Sequence, residues 1–256
     1  MSNSSTYVAN EAAKKAEDFA RPRGLYVAFG KRIFDLLISA GVLIVFGWLM
    51  ALIAILIKWE DPGPVLYRQE RIGKDGKAFK LTKFRSMCIG AEHKGAGILV
   101  EKNDSRITRV GRIIRKLSLD ELTQIFDVIR GDMSIVGPRP GLRYQAELYD
   151  ASQWRRLHVK PGITGWAQVN GRNSIIWPER IRLDVEYVEK ISFLKDIEVI
   201  LKTIPSVLLG SNQIAGGDYW KQRRAELEKV RGGIEQESAS ESSAEDVPEE
   251  ELEKQP

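Results

Sequence analysis

Hydrophobic and polar positions change pattern several times along the chain. From Ile33 to Ile57 apolar residues run almost without interruption, with only Asp35 charged and only Ser39 otherwise polar. That length suits a membrane-inserted helix better than a soluble core helix. The run leads into Lys58-Trp59-Glu60-Asp61-Pro62 rather than a small-residue cleavage site, which argues against a secretory signal peptide. Pro62-Gly63-Pro64 makes a sharp turn, and Val65-Leu66-Tyr67 and Lys80–Phe84 read as short strands around the turn Gly73-Lys74-Asp75-Gly76. The charged stretch Gly90–Arg109 reads as an exposed loop. A helical period then runs from Ile113 through Ile129 and is broken by Gly131. Amphipathic helices are predicted over Leu142–Leu157 and Pro178–Glu189, and an apolar one, interrupted by Pro205, over Ile197–Leu209. Trp154, Trp166, Trp177 and Trp220 suit either a core or a membrane interface.

These patterns predict five segments: a polar leader (1–27), a membrane-inserted helix (28–60), a catalytic domain (61–210), a basic segment (211–231) and an acidic tail (232–256). The tail has almost nothing to bury and reads as disordered. The formal charge of +4 hides an asymmetry: nine acidic residues and one lysine follow Gly232, so the residues before it carry about +12. Basic excess beside an apolar segment points to anionic membrane lipids and then to anionic substrates. Nucleic acid is not indicated, because basic and aromatic residues are not interleaved and no zinc-finger spacing occurs. A single cysteine, Cys88, excludes an internal disulfide, and two scattered histidines offer no histidine-based metal cluster.

Both flanks of the apolar run are basic, with Arg21, Arg23, Lys31 and Arg32 before it and Lys58, Arg68 and Arg71 after it. Cytoplasmic segments attract such charge. A spanning helix satisfies one flank and a helix that dips in and returns satisfies both, while length permits either. Re-entry is the expectation, with a bend near Gly47.

The stretch Ser118-Leu-Asp-Glu-Leu places two acids, Asp120 and Glu121, at the opening of an apolar helical pattern. A capping box, with Ser118 at the N-cap and Glu121 three residues on, accounts for both structurally. The same geometry keeps a carboxylate ionised, and an ionised carboxylate near a phosphoanhydride and a metal is a nucleophile. Adjacent helix residues point about 100° apart, so the two acids suit different tasks. Arg115 lies within reach of phosphate oxygens at a bend into that helix. Arg139 stands between two prolines in Gly137-Pro-Arg-Pro140, which restricts its backbone. Gly162, Gly165 and Gly171 in the stretch Lys160–Arg172 permit close backbone approach, as a ligand cradle requires.

Taken in order, the apolar run, Tyr-Arg-Gln-Glu-Arg-Ile-Gly, Lys-Phe-Arg-Ser-Met, Ser-Leu-Asp-Glu-Leu, Gly-Asp-Met-Ser-Ile-Val-Gly-Pro-Arg-Pro and Pro-Gly-Ile-Thr-Gly-Trp-Ala-Gln-Val-Asn-Gly-Arg closely resemble the bacterial sugar transferases, specifically the small monotopic phosphoglycosyl transferases. The resemblance covers roughly residues 28–210. It implies an α/β fold, mostly helical with a small strand element, carrying a re-entrant N-terminal helix and interfacial amphipathic helices. It implies transfer of a sugar 1-phosphate from a UDP-sugar to polyprenol (undecaprenyl) phosphate with release of UMP, in surface glycan or exopolysaccharide assembly. Asp120 matches the family's covalent nucleophile and Glu121 its Mg2+ ligand. Arg115, Arg139, Arg172, Asp184 and Lys83 match substrate- or phosphate-binding positions. The implied location is the bacterial inner membrane with catalysis on the cytoplasmic face, and a homodimer is compatible with it. One departure stands out: Gly47-Trp48 replaces the Ser-Pro pair at which the family's re-entrant helix bends. A direct ternary transfer without a covalent species, and a membrane-anchored scaffold that needs the basic face but not the two acids, are the competing readings.

Overall fold

Helix α1, Lys31–Glu60, sets the layout of the computed structural model. The structure describes residues 11–91, 104–171 and 175–208, together with Tyr219, 222–226 and Glu228. The chain divides into a unit of residues 1–214, treated below, and a unit of residues 215–256 whose described residues are helical. Trp220, the acidic tail and most of the Gly90–Arg109 loop fall outside the described residues; where that loop is described, Arg106 is buried and Arg109 already opens a helix.

α1 follows a π-helical turn, Tyr26–Gly30, and stays helical through Gly47 without a break. It is the one helix among the described residues long and apolar enough to cross a membrane. Its two faces differ. Lys31, Asp35, Ser39, Met50, Ile53 and Ile57 are buried against the rest of the unit. Ile33, Leu37, Ile44, Trp48, Ile55 and Trp59 recur every four or seven residues on the opposite face and are exposed, Ile44 by 82% and Trp59 by 83%. The polar interruptions in the apolar run now have a cause. Asp35 Oδ1 accepts hydrogen bonds from Ser134 Oγ and the Ile135 N–H, both at 2.9 Å. Ser39 Oγ donates back to the Asp35 carbonyl at 2.6 Å. Asp35 thus docks the helix on the rest of the unit, while the Ser39 bond stays within the helix.

Both ends of α1 are fixed to that unit. At the start, Lys31 Nζ lies 2.5 Å from Asp196 Oδ2, and Arg32 donates to the carbonyls of Val128 and Ile129 at 2.6 and 2.7 Å. At the far end, the Glu60 carboxylate accepts the N–H groups of Arg109 and Val110 at 2.7 and 2.8 Å. Those amides open helix α2, Arg109–Lys116, and would otherwise lack partners.

The strands are few. β1 (Leu66–Ile72) and β2 (Ala78–Phe84) form an antiparallel hairpin with Leu66 opposite Phe84 and Ile72 opposite Ala78. This is the predicted hairpin, with both strands extended toward the turn. β3 (Ser134–Val136) and β4 (Gly162–Thr164) pair in parallel, Ser134 opposite Gly162 and Val136 opposite Thr164. The sequence pattern predicts neither, since three-residue strands carry too little alternation to be seen. The core joins α1 to these elements through Met50, Ile53, Leu81, Phe84, Val128 and Val136.

The helical period from Ile113 to Ile129 is not one helix. α2 ends at Lys116, Ser118 takes a left-handed conformation at φ 56°, a 3₁₀ segment covers Leu119–Gln124, and α3 covers Ile125–Arg130. Leu142–Leu157 likewise divides into α4 (Arg143–Ala146), α5 (Ala151–Trp154) and a 3₁₀ turn at Arg155–His158. Asp150 starts α5 by accepting the Gln153 N–H at 2.9 Å, a cap that restarts the helix at mid-pattern. α6 (Trp166–Val169), α7 (Trp177–Glu189) and α8 (Phe193–Leu208) complete the unit. The predicted Pro178–Glu189 helix is thus present, and the apolar helix begins earlier than predicted and continues through Pro205.

Candidate active site

Asp120 and Glu121 lie on the 3₁₀ segment, and the capping box predicted for them does not form. Ser118 makes no side-chain cap, because its left-handed backbone is not the extended one an N-cap needs. The acids are oriented by the segment's packing on β2. Thr82 of β2 gives its N–H and its hydroxyl to the two oxygens of Asp127, each at 2.8 Å, and its carbonyl accepts Thr123 Oγ1 at 3.2 Å. Asp127 is fully buried and also receives Arg130. This buried set fixes Lys83, the next residue on β2, beside the two acids.

Glu121 is the hub. Lys83 Nζ donates to its Oε1 at 2.8 Å, and Arg139 donates to Oε1 at 2.5 Å and to Oε2 at 3.3 Å. Burial alone would raise its pKa, but Arg139 and Lys83 overwhelm that and hold the carboxyl well below the usual range. Asp120 behaves in the opposite way. It is 8% exposed, and burial pushes its carboxyl up. Lys83 pulls it down, the Glu121 charge adds to the push, and Arg115 and Arg139 pull again. Two adjacent carboxyls are therefore driven apart in acidity by their surroundings, a pattern that assigns them different roles.

The remaining predicted residues fall as follows. Arg115, at the end of α2, faces Ser86 Oγ at 3.4 Å and is close enough to Asp120 to act on its charge. Arg172 lies outside the described residues. Asp184, on α7, is buried in an ion pair with Arg156, Nη2 to Oδ2 2.5 Å, with both side chains under 5% exposed. It reaches the site only through that arginine, whose Nη2 also donates to the Arg139 carbonyl at 2.8 Å.

Three arginines near the site were not named as site residues. Arg71, read only as a basic flank, donates to the Pro140 carbonyl at 3.3 Å and to Gln69 Oε1 at 2.6 Å. Its pKa is lowered to about 10, first by burial and then by the adjacent charge of Arg139. The period of two on a strand puts Gln69 and Arg71 on one face, a signal present in the sequence. Arg180 stacks on Trp177, 5.2 Å from ring centroid, and burial and the Arg139 charge lower its pKa. Arg156 sits between arginine and leucine in a broken helical pattern and carried no signal.

Gly162 and Gly165 do permit a close approach, but of backbone to backbone. A Cβ on Gly162 would lie 2.1 Å from the Gly137 nitrogen, and one on Gly165 would lie 2.2 Å from the Gly137 oxygen. These glycines bring the two motifs into contact, so that Pro138-Arg139-Pro140 leaves the end of β3 toward Glu121.

The arrangement concentrates Lys83, Arg115, Arg139 and Arg71 around two carboxylates. Such a cluster neutralises a polyanion such as a diphosphate. Among the described residues no group of three or more His, Cys, Asp or Glu side chains is placed to hold a metal. Mg2+, however, is commonly held by one or two carboxylates with phosphate oxygens and water completing its shell. Glu121 is the carboxylate expected to serve in that mode, and in this structure its two oxygens are taken by Lys83 and Arg139.

The model of the family described as bacterial sugar transferase matches residues 26–210. The chain belongs to the bacterial sugar transferase family. Among its relatives is the exopolysaccharide production protein ExoY of Rhizobium meliloti (strain 1021), 40% identical over 207 residues, which cover 74% of this chain and 88% of that protein. The UDP-N-acetylgalactosamine-undecaprenyl-phosphate N-acetylgalactosaminephosphotransferase of Aeromonas hydrophila is 42% identical over 196 residues, 74% of this chain and 46% of that protein. The UDP-glucose:undecaprenyl-phosphate glucose-1-phosphate transferase of Caulobacter vibrioides (strain ATCC 19089 / CIP 103742 / CB 15) is 38% identical over 190 residues, 71% of each. The family match takes in α1 as well as the acids, so the apolar helix is part of the family's body and no appendage to it.

Proposed function

We propose that this family member transfers a sugar 1-phosphate from a UDP-sugar to undecaprenyl phosphate, releasing UMP, in the assembly of an exopolysaccharide or other surface glycan. The observation that carries the reading is the Asp120–Glu121 pair, split in acidity and ringed by cations, in a chain akin to transferases of that substrate class. Relatives are named for N-acetylgalactosamine and for glucose, so family membership alone does not specify the sugar.

In the proposed route an oxygen of the Asp120 carboxylate forms a bond to the sugar-bearing phosphorus. The anhydride P–O bond breaks and its electron pair leaves with UMP. The phosphate of the lipid acceptor then attacks the same phosphorus and releases the carboxylate. Splitting the exchange in two spares a water-soluble donor and a lipid acceptor from meeting. Arg139, Lys83 and Arg115 stabilise the charge on the transferring and leaving phosphates. Glu121 would hold Mg2+, which would supply further neutralisation of the diphosphate. The donor's phosphates compete with Glu121 for Arg139 and Lys83, so both cations move partly from carboxylate to substrate on binding.

The test uses purified protein with Mg2+, undecaprenyl phosphate and a panel of UDP-sugars. One of these donors is expected to yield UMP, and donor alone is expected to leave an adduct of sugar-phosphate mass on the Asp120 peptide. Well-folded protein that releases no UMP across the panel overturns the transferase reading. UMP release without any adduct overturns the covalent step and favours direct transfer.

The same proposal includes a monotopic attachment to the inner membrane, with the catalytic unit on the cytoplasmic face, where a UDP-sugar is available. A helix of 30 residues is about 45 Å long, and a perpendicular crossing separates its ends by the hydrocarbon thickness of about 30 Å. Yet Lys31 and Arg32 at one end, and Glu60 at the other, bond to the same folded unit. That supports both ends of α1 lying on one side of the membrane, with the exposed stripe of Ile33, Ile44, Trp48 and Trp59 toward lipid and the basic flanks at anionic headgroups. A cysteine introduced at Asn10 in Cys88→Ser protein is expected to escape a membrane-impermeant thiol reagent in intact cells. Labelling before permeabilisation, matched by a periplasmic control, overturns this topology.

A further inference from the structure

Arg139 presents its guanidinium to Glu121 from a loop that cannot stabilise itself. Neither Pro138 nor Pro140 has an N–H to donate, so the loop depends on what grips its carbonyls. Each of the three consecutive carbonyls is gripped from a different element. Pro138 O accepts the Gly162 N–H at 3.0 Å, Arg139 O accepts Arg156 Nη2 at 2.8 Å, and Pro140 O accepts Arg71 Nη1 at 3.3 Å. On either side, the Gly137 N–H donates to Thr164 O at 2.9 Å and Gly141 O accepts the Ile72 N–H at 3.0 Å.

The middle grip differs from the others. Arg156 is 2% exposed, a burial a cation tolerates only with a counter-charge, and of its guanidinium only the two terminal nitrogens find partners, Nε having none among the described residues. Asp184 supplies the charge, and the Tyr149 hydroxyl takes Nη1. The guanidinium plane is thus held on two sides by buried groups, leaving one Nη2 hydrogen directed at the Arg139 carbonyl. A buried ion pair replaceable by apolar residues adds little to stability; one that directs a hydrogen bond at a site residue has a further use.

We propose that Arg156, neutralised by Asp184, is a positioning residue that sets Arg139 against Glu121 and the donor's phosphates without touching substrate. This rests on the transferase reading above. It also gives Asp184 a role other than nucleotide contact. Arg156→Lys keeps the charge but loses the fork that serves Asp184 and the carbonyl together.

The experiment is a kinetic cycle on the full-length protein in detergent, with Arg156→Lys, Arg139→Ala and the double variant. Each is assayed by UMP release with the UDP-sugar that supports wild-type turnover. Arg156→Lys is expected to lower kcat by about ten- to a hundredfold, as a displacement of about 1 Å does, with KM for the UDP-sugar changed less than about twofold. In the Arg139→Ala background it is expected to add less than about a twofold loss, because its effect passes through Arg139. Equal losses in both backgrounds, or a loss confined to KM, overturn the proposal. Hydrogen exchange of the peptide spanning residues 133–146 gives a second readout that needs no turnover. Exchange there is expected to quicken in Arg156→Lys, and unchanged exchange overturns the proposal. Should Arg156→Lys fail to fold, Asp184→Asn replaces it in both measurements with the same expected signs. Wild-type protein inactive toward every UDP-sugar defeats the transferase reading, and the exchange measurement still decides the positioning role.

Discussion

Asp120→Asn is expected to reduce UMP release by at least about a thousandfold while leaving the thermal midpoint close to that of the wild type. The asparagine is nearly the same size, so it fits the same buried position and removes only the attacking oxygen's charge. Glu121→Gln is expected to act differently. It keeps the nucleophile but weakens the grip of Arg139 and Lys83 and the demand for Mg2+, so activity falls less and recovers partly at high Mg2+. A pH profile separates the two carboxyls. Burial raises the Asp120 pKa and the cations hold Glu121 far down. The nucleophile must be ionised, so activity is lost as pH falls through a value above the ordinary aspartate range. Removing the Lys83 charge, as in Lys83→Met, moves that limb to higher pH. The assignment is overturned by a labelled intermediate that survives in Asp120→Asn, or by an acid limb unmoved in Lys83→Met.

Asp196→Ala is expected to destabilise the protein by about 3–5 kcal/mol, the cost of stranding a buried charge. Asp196 is fully buried and accepts hydrogen bonds from Lys31 Nζ at 2.5 Å, Tyr26 OH at 2.5 Å and Tyr187 OH at 2.6 Å. Its loss leaves the Lys31 ammonium, only 10% exposed, without its bonded counter-ion and the Tyr26 hydroxyl without an acceptor, while the Tyr187 hydroxyl keeps only the Val136 carbonyl at 3.2 Å. Arg182–Glu179 is the control, at 2.6 Å with side chains 61% and 40% exposed. Breaking that solvent-screened pair is expected to leave the thermal midpoint essentially unchanged. Thermal unfolding in detergent reads both, and a loss at Asp196 as small as at Glu179 contradicts the buried network.

How far the sequence disclosed this depends on the length over which its signal extends. α1, the β1–β2 hairpin and α7 each repeat a period several times, and each was readable. Ser118 was not: its left-handed φ cuts a continuous apolar period into two helices and a 3₁₀ segment, and no periodicity records one residue's backbone angle. The acids and Arg139 were visible because they stand in strings of fixed order. Lys83 was picked out as well, but its setting beside Glu121 rests on the Thr82–Asp127 contact across 45 residues, which local pattern cannot carry. Asp35 shows the same limit, since its partners lie about a hundred residues away. Asp184 was picked out by its motif, but its partner Arg156, and therefore its task, became visible only in three dimensions.

The grip at both ends of α1 bears on how the enzyme can be handled. A tether can be cut away and leave a soluble catalyst. Cutting before Asp61 here would strip partners from Asp196, from the Ser134 hydroxyl and the Ile135 N–H, and from the first amides of α2, while uncovering Leu81, Phe84 and Val128. The shortened chain would expose a sticky apolar scar in the middle of its own core. Solubility for crystallisation or screening is better sought by repainting the outer stripe, with polar residues at Ile33, Leu37, Ile44, Trp48, Ile55 and Trp59, than by amputating the helix that carries it.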